Sequence, residues 1–165
     1  MDVTSLIRER IARQEDGLRP FVVGVSGYGG SGKSTLARRL CDELADAYRV
    51  RGDDFLDPAR SHRRSTDWDG VDRVRLVDEV LAPIRAQEST TFRRFDWSRR
   101  QLGEAEVLSG ARVYVVDVIG LFHPEALPYL DVAVWCDVDL DTATERGIRR
   151  DRLLGRDHES LWREV

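Results

Sequence analysis

The segment Phe21-Val22-Val23-Gly24-Val25-Ser26-Gly27-Tyr28-Gly29-Gly30-Ser31-Gly32-Lys33-Ser34-Thr35 carries two patterns in direct succession. Phe21 to Ser26 is a short, nearly continuous apolar run, the signature of a strand buried on both faces of a parallel sheet. Gly27 to Ser34 then fits G-x-x-x-x-G-K-[ST], with Thr35 extending it. Leu36, Leu40 and Leu44 follow at helical spacing. Strand, glycine-rich turn and amphipathic helix in that order make a phosphate cradle. Gly27, Gly29, Gly30 and Gly32 allow the backbone to wrap a phosphate with its N–H groups pointing inward, and Ser31 sits within that wrap. The start of the helix adds its positive dipole end. Lys33 is placed to reach the β- and γ-phosphates of a nucleotide, and the Ser34 hydroxyl to ligate Mg²⁺.

The rest of the chain narrows what such a cradle serves. Its 165 residues, 41% hydrophobic and 34% charged, are close to the ~150 expected of one domain and exclude a disordered or fibrous chain. No apolar run approaches the ~18 residues of a membrane span. Two cysteines, Cys41 and Cys136, make no disulfide framework, and a reducing, cytoplasmic setting is expected. A formal charge of −4 argues against nucleic-acid binding that ignores sequence. The 26 basic residues are 25 arginines and Lys33, and asparagine is absent. The Asn/Thr-Lys-x-Asp guanine motif therefore cannot occur, which excludes a small G-protein. His62, His123 and His158 lack metal-ligand spacing.

Around the cradle, residues 3 to 16 read as an amphipathic helix, and Tyr48 to Gly52 as a second strand. Val74, Val77, Leu81 and Ile84 form a helical stripe that Pro83 ends or kinks. Thr90 to Phe95 reads as a strand and Gln101 to Ser109 as a short helix. Val113 to Asp117 and Asp131 to Cys136 read as buried strands, with Trp135 in the core. Alternating strands and helices predict a three-layer α/β domain with a mainly parallel sheet.

Three groups of side chains carry candidate chemistry. Asp117 ends an apolar strand, where the second carboxylate of a P-loop site holds Mg²⁺ directly or through water; Asp137 ends the next strand in the same way. Asp53 and Asp54 follow the second strand at the same carboxyl edge, where a carboxylate can take the proton of an attacking hydroxyl. Arg146, Arg149, Arg150, Arg152 and Arg156 fall within eleven residues and are candidates for a clamp that closes over a transferring phosphoryl group. Trp68 and Trp97 lie in polar loops, where a ring could stack on a base.

These features in order resemble the uridine kinase branch of the P-loop kinases, the group related to phosphoribulokinase and pantothenate kinase. The residues that carry the resemblance are Val25 to Thr35, Gly52-Asp53-Asp54-Phe55, Arg93-Arg94-Phe95-Asp96-Trp97, Val115-Val116-Asp117, and Arg146 to Arg156 with Arg149-Arg150-Asp151 and Gly155-Arg156. The resemblance implies a three-layer P-loop NTPase fold with strand order 2-3-1-4-5, and transfer of the ATP γ-phosphate to a hydroxyl of a small molecule, a nucleoside such as uridine. It makes Asp53 the base, residues 57–100 an acceptor-binding insertion, residues 141–160 a lid bearing Arg146, Arg149, Arg150 and Arg156, and Asp67, Phe95 and Asp96 parts of the acceptor site. Asp117-Val118 stands where the group has Glu-Gly, the Thr66 to Asp72 loop matches only loosely, and the chain stops at Val165, before the expected fifth strand. A kinase for a non-nucleoside alcohol and a non-catalytic ATP-binding module are the alternatives.

Overall fold

The computed structural model describes residues 2–14, 17, 19–57, 59–60, 67–156 and 158–163. His62 and Thr66, named from the sequence, and the end at Val165 lie outside them. Four parallel strands form the central sheet: β1 (Phe21–Ser26), β2 (Ala47–Arg51), β5 (Val113–Asp117) and β6 (Val132–Trp135), in the order β2-β5-β1-β6. Counting the parallel strands alone, this reads 2-3-1-4, and no fifth neighbour occurs among the described residues. β1 and β5 are buried along their whole length, as two central strands covered on both faces must be.

Alternate residues of these strands feed two cores. Val23, Val25, Val113 and Val115 pack with Ile7 of α1 (Val3–Ala12) and with Ala37 and Leu40 of α2 (Lys33–Glu43). Val22, Val116 and Tyr114 pack on the other face with Phe55, Leu76, Val80 and Leu81. The latter come from a 3₁₀ turn (Gly52–Phe55) and a composite helix: α3 (Arg73–Leu76), a π-helical stretch (Val77–Leu81) and α4 (Ala82–Ala86). Pro83 accounts for the composite. Its ring cannot coexist with a helical bond to the carbonyl four residues back, and that carbonyl, of Glu79, instead accepts from the Thr90 hydroxyl at 2.9 Å.

Three expectations need correction. Gln101 to Ser109 is not a helix: β4 (Gln101–Val107) pairs antiparallel with β3 (Thr91–Asp96) in a separate two-stranded sheet. Its Glu, Ala and Leu favour helix, but the Asp96 carboxylate caps a tight turn by accepting from Ser98 N and Arg99 N, which directs residue 101 back along β3. The first helix stops at Ala12 rather than reaching residue 16. Trp135 is not core. β6 is an outer strand whose side chains alternate between half-buried and exposed, and Trp135 is 47% exposed.

Candidate active site

The phosphate cradle follows directly from local backbone. Gly27, Gly30 and Gly32 all have positive φ (147°, 82° and 98°), values that L side chains resist. At Gly30 a Cβ would also lie 2.0 Å from the Ala143 carbonyl oxygen, so α5 (Leu140–Leu153) can pass close over the loop only because this position is glycine. Gly32 caps α2 without a side-chain hydrogen bond, so the first amides of that helix keep their capacity to bind an anion. Ser31 Oγ is buried against the Cys136 thiol. Uncapped amides and positive-φ glycines fit nucleotide phosphates.

Lys33 donates to the Tyr28 carbonyl at 2.8 Å. Burial pushes its pKa down, against the opposing pull of Cys136, Asp53 and Asp117, while nearby Arg150 adds to the lowering. An ammonium held in that way gains a partner when phosphate arrives. The Ser34 hydroxyl donates to Asp117 Oδ2 at 2.8 Å. Among the described residues no three His, Cys, Asp or Glu side chains form a metal cage. A hydroxyl and a carboxylate oxygen side by side instead suit Mg²⁺, which takes few protein oxygens and completes its shell with water and phosphate.

Arg49 was not singled out in the sequence. From β2 it grips Asp117 with both prongs, Nε to Oδ1 and Nη2 to Oδ2, each at 2.7 Å. The Asp117 partnership is the main cause raising the Arg49 pKa. Charged residues alternating with Tyr48 and Val50 along that strand were the available signal. The bidentate pair holds the carboxylate in one orientation beside Ser34.

Asp53 and Asp54 divide. Asp53 is exposed and close enough to Lys33 and Arg49 to act on both electrostatically. Asp54 is buried, pairs with Arg94 of β3 at 3.3 Å and ties the 3₁₀ turn to the hairpin. On α5, Arg146, Arg149 and Arg150 are exposed, as is Arg156 beyond the joint at Gly155 (φ 70°). Arg150 bonds Asp151 at 3.0 Å and stacks 5.7 Å over Trp162 of α6 (Glu159–Arg163), whose indole N–H donates to Asp151 at 2.8 Å. Of the remaining expected residues, Asp67 is exposed, Phe95 is buried against Trp97 with ring centroids 4.7 Å apart, and the Asp96 carboxylate is occupied by its turn. Burial pushes the Cys41 thiol up to about 11 and raises that of Cys136, which removes both as nucleophiles near neutrality.

A protein-family model described as AAA domain matches residues 22–161. The chain is similar to a uridine kinase of Leuconostoc citreum, 29% identical over 147 residues that cover 82% of this chain and 70% of that protein. It is similar also to uridine kinase-like protein 3 of Arabidopsis thaliana, 26% identical over 90% of this chain but only 34% of the relative. Two solved structures share the fold. One is assigned to a fructose transport system kinase of Silicibacter sp. (TM-score 0.77, 21% identity, 98% of this chain and 87% of that one). The other is described as a possible uridine kinase of Bacillus stearothermophilus (TM-score 0.63, 17% identity, 97% of each chain). The match over residues 22–161, with the cradle and the Ser34–Asp117 pair in hand, shows that the chain belongs to the AAA domain family, in which its likenesses are to uridine kinases.

Proposed function

We propose that the chain transfers the γ-phosphoryl group of ATP to a hydroxyl of a small molecule, with a nucleoside such as uridine as the acceptor. The observation that carries this is convergence: Lys33, Asp53, the Ser34–Asp117 pair and Arg150 meet at one end of the sheet beside an uncapped helix N-terminus. The amides of the cradle hold the phosphates, and Lys33 balances charge on the β- and γ-groups. Asp53 takes the proton as the acceptor oxygen bonds to phosphorus, while the bond to the bridging oxygen breaks and ADP leaves. Ser34 and Asp117 would hold Mg²⁺, which when bound neutralises phosphate charge. Arg146, Arg149, Arg150 and Arg156 close over the transferring group from the segment 141–160, and residues 57–100 supply the acceptor side. Arginine suits the closing role because its planar fork holds two phosphate oxygens at once.

An ADP-release assay with Mg·ATP across uridine, cytidine, pantothenate and fructose tests this. ADP release that depends on uridine is expected, and Lys33→Ala should abolish it while leaving the far-UV circular dichroism unchanged. Release with fructose or pantothenate alone would move the acceptor to a non-nucleoside alcohol. Binding of Mg·ATP with no turnover of any acceptor would make the chain a passive nucleotide binder.

A further inference from the structure

Arg49 serves two carboxylates of the candidate site. Its side chain, 20% exposed, grips that of Asp117, 3% exposed, and Asp53 also acts on it electrostatically. The partner of Asp117 is not the one the ladder offers first. Arg51 stands directly across from Asp117 in the β2–β5 register, yet it is exposed and acts electrostatically on Asp54 instead. Arg49, two residues earlier on the same face of the strand, reaches diagonally to Asp117, a distance that a long side chain can cover. Both of its prongs land at 2.7 Å, a planar fork on a buried carboxylate rather than a loose surface contact.

The grip leaves Asp117 little to offer a cation that comes alone. A carboxylate has about four lone-pair sites. On Asp117 three are taken: Oδ1 accepts from Arg49 Nε, and Oδ2 accepts from both Arg49 Nη2 and the Ser34 hydroxyl. The guanidinium also balances the carboxylate charge. A free divalent cation would therefore meet a neutralised carboxylate with about one acceptor site left, the Ser34 oxygen, and repulsion from Arg49 and from Lys33 nearby. Mg²⁺ sheds its water reluctantly, and those few donors give it little reason to. A cation carried on the phosphates of a nucleotide brings anionic oxygens with it and needs only what Asp117 and Ser34 still present.

We propose that Arg49 is a positioning residue that acts through Asp117: it withholds the carboxylate from free divalent cations and keeps it oriented for a cation carried by nucleotide phosphate. The proposal rests on the kinase reading and deepens it. A role confined to stability makes the opposite forecast. If Arg49 only pinned β2 to β5, its loss would loosen the sheet and weaken every ligand. If it withholds Asp117, its loss makes a free cation bind more tightly.

Titration of the nucleotide-free full chain with Mn²⁺, followed by loss of the free-ion electron paramagnetic resonance signal, reads this without turnover. Mn²⁺ suits the same oxygen donors as Mg²⁺. Arg49→Gln should tighten free Mn²⁺ binding by about 10-fold or more, because a like charge in contact with the carboxylate is gone. Binding of Mn²⁺ in the presence of ADP should change less, so the preference for the nucleotide-borne ion shrinks. Arg49→Lys keeps the charge but gives up one prong, and should tighten free-ion binding by a smaller factor; it carries the test should Arg49→Gln fold poorly. Adding Asp117→Asn to either variant should abolish the gain. Free Mn²⁺ affinity unchanged or weaker in a folded Arg49 variant, or a gain that survives Asp117→Asn, would overturn the proposal. If the gain appears but no acceptor is turned over in the ADP-release assay, the kinase reading fails and the role of Arg49 stands. If uridine-dependent release is intact and the gain is absent, the role of Arg49 fails and the kinase reading stands.

Discussion

Between Asp53 and Asp54 the backbone turns through a 3₁₀ step, which leaves the first carboxylate exposed beside the cradle and buries the second under the β3–β4 hairpin. Their substitutions should therefore fail differently. Asp53→Asn should lower kcat at least ~10²-fold with nucleotide affinity and stability little changed, as expected for loss of a general base. Asp54→Asn should leave kcat near wild type and act on the pH dependence of stability instead, because Asp54 pairs with Arg94 in a buried setting away from the cradle. Burial raises the Asp54 pKa, opposed by Arg51 and Arg94. A raised folded-state value means that the folded form binds this proton more tightly than the unfolded chain does. The resulting stabilisation is complete below the ordinary value of 3.8 and is lost as pH rises through the raised one. Denaturant titrations of both variants from pH 3 upward check this, and wild type and Asp54→Asn should differ in slope there. The two carboxylates were adjacent letters in the sequence. Only the turn geometry separated them, just as only the β2–β5 register revealed that Arg49 holds Asp117.

α5 and α6 belong together through Trp162, whose ring covers Gly147 of α5 and Gly29 of the cradle so closely that a Cβ at either would stand 2.4 Å or 3.0 Å from it. The N-terminal half of α5 is tied to the cradle at Ala143 and Gly30. These contacts join α5 and α6, so closure should involve residues 146–160 together rather than a joint at Gly155 alone. Amide exchange over 146–160 should be faster in the ligand-free protein than when a non-hydrolysable ATP analogue and acceptor are bound together. Arg146→Gln with Arg150→Gln should lower kcat by ~10²-fold or more, with a smaller effect on ATP affinity. Equal protection with and without ligands, and normal turnover in the double variant, would make this a surface helix. The α5 arginines were legible as a cluster because charge patterning is local. The β4 strand was not, because its residues favour helix and only pairing with β3 overrules them.

Across the whole molecule, the parallel strands and the cradle were legible because buried strands, glycine turns and capping helices write themselves into short stretches of chain. A cavity lined by Tyr28, Trp68, Phe122 and Trp135 was not, since these come from four separate segments that meet only through the strand order β2-β5-β1-β6. Among the described residues, β6 is hydrogen-bonded to β1 alone. Trp135 is therefore carried by a strand laddered along a single flank, with less to hold it than β1 or β5. Amide exchange at Val132 to Trp135 should therefore run faster than at the fully buried β1 and β5, so opening of the sheet begins at its outer strands rather than at its centre.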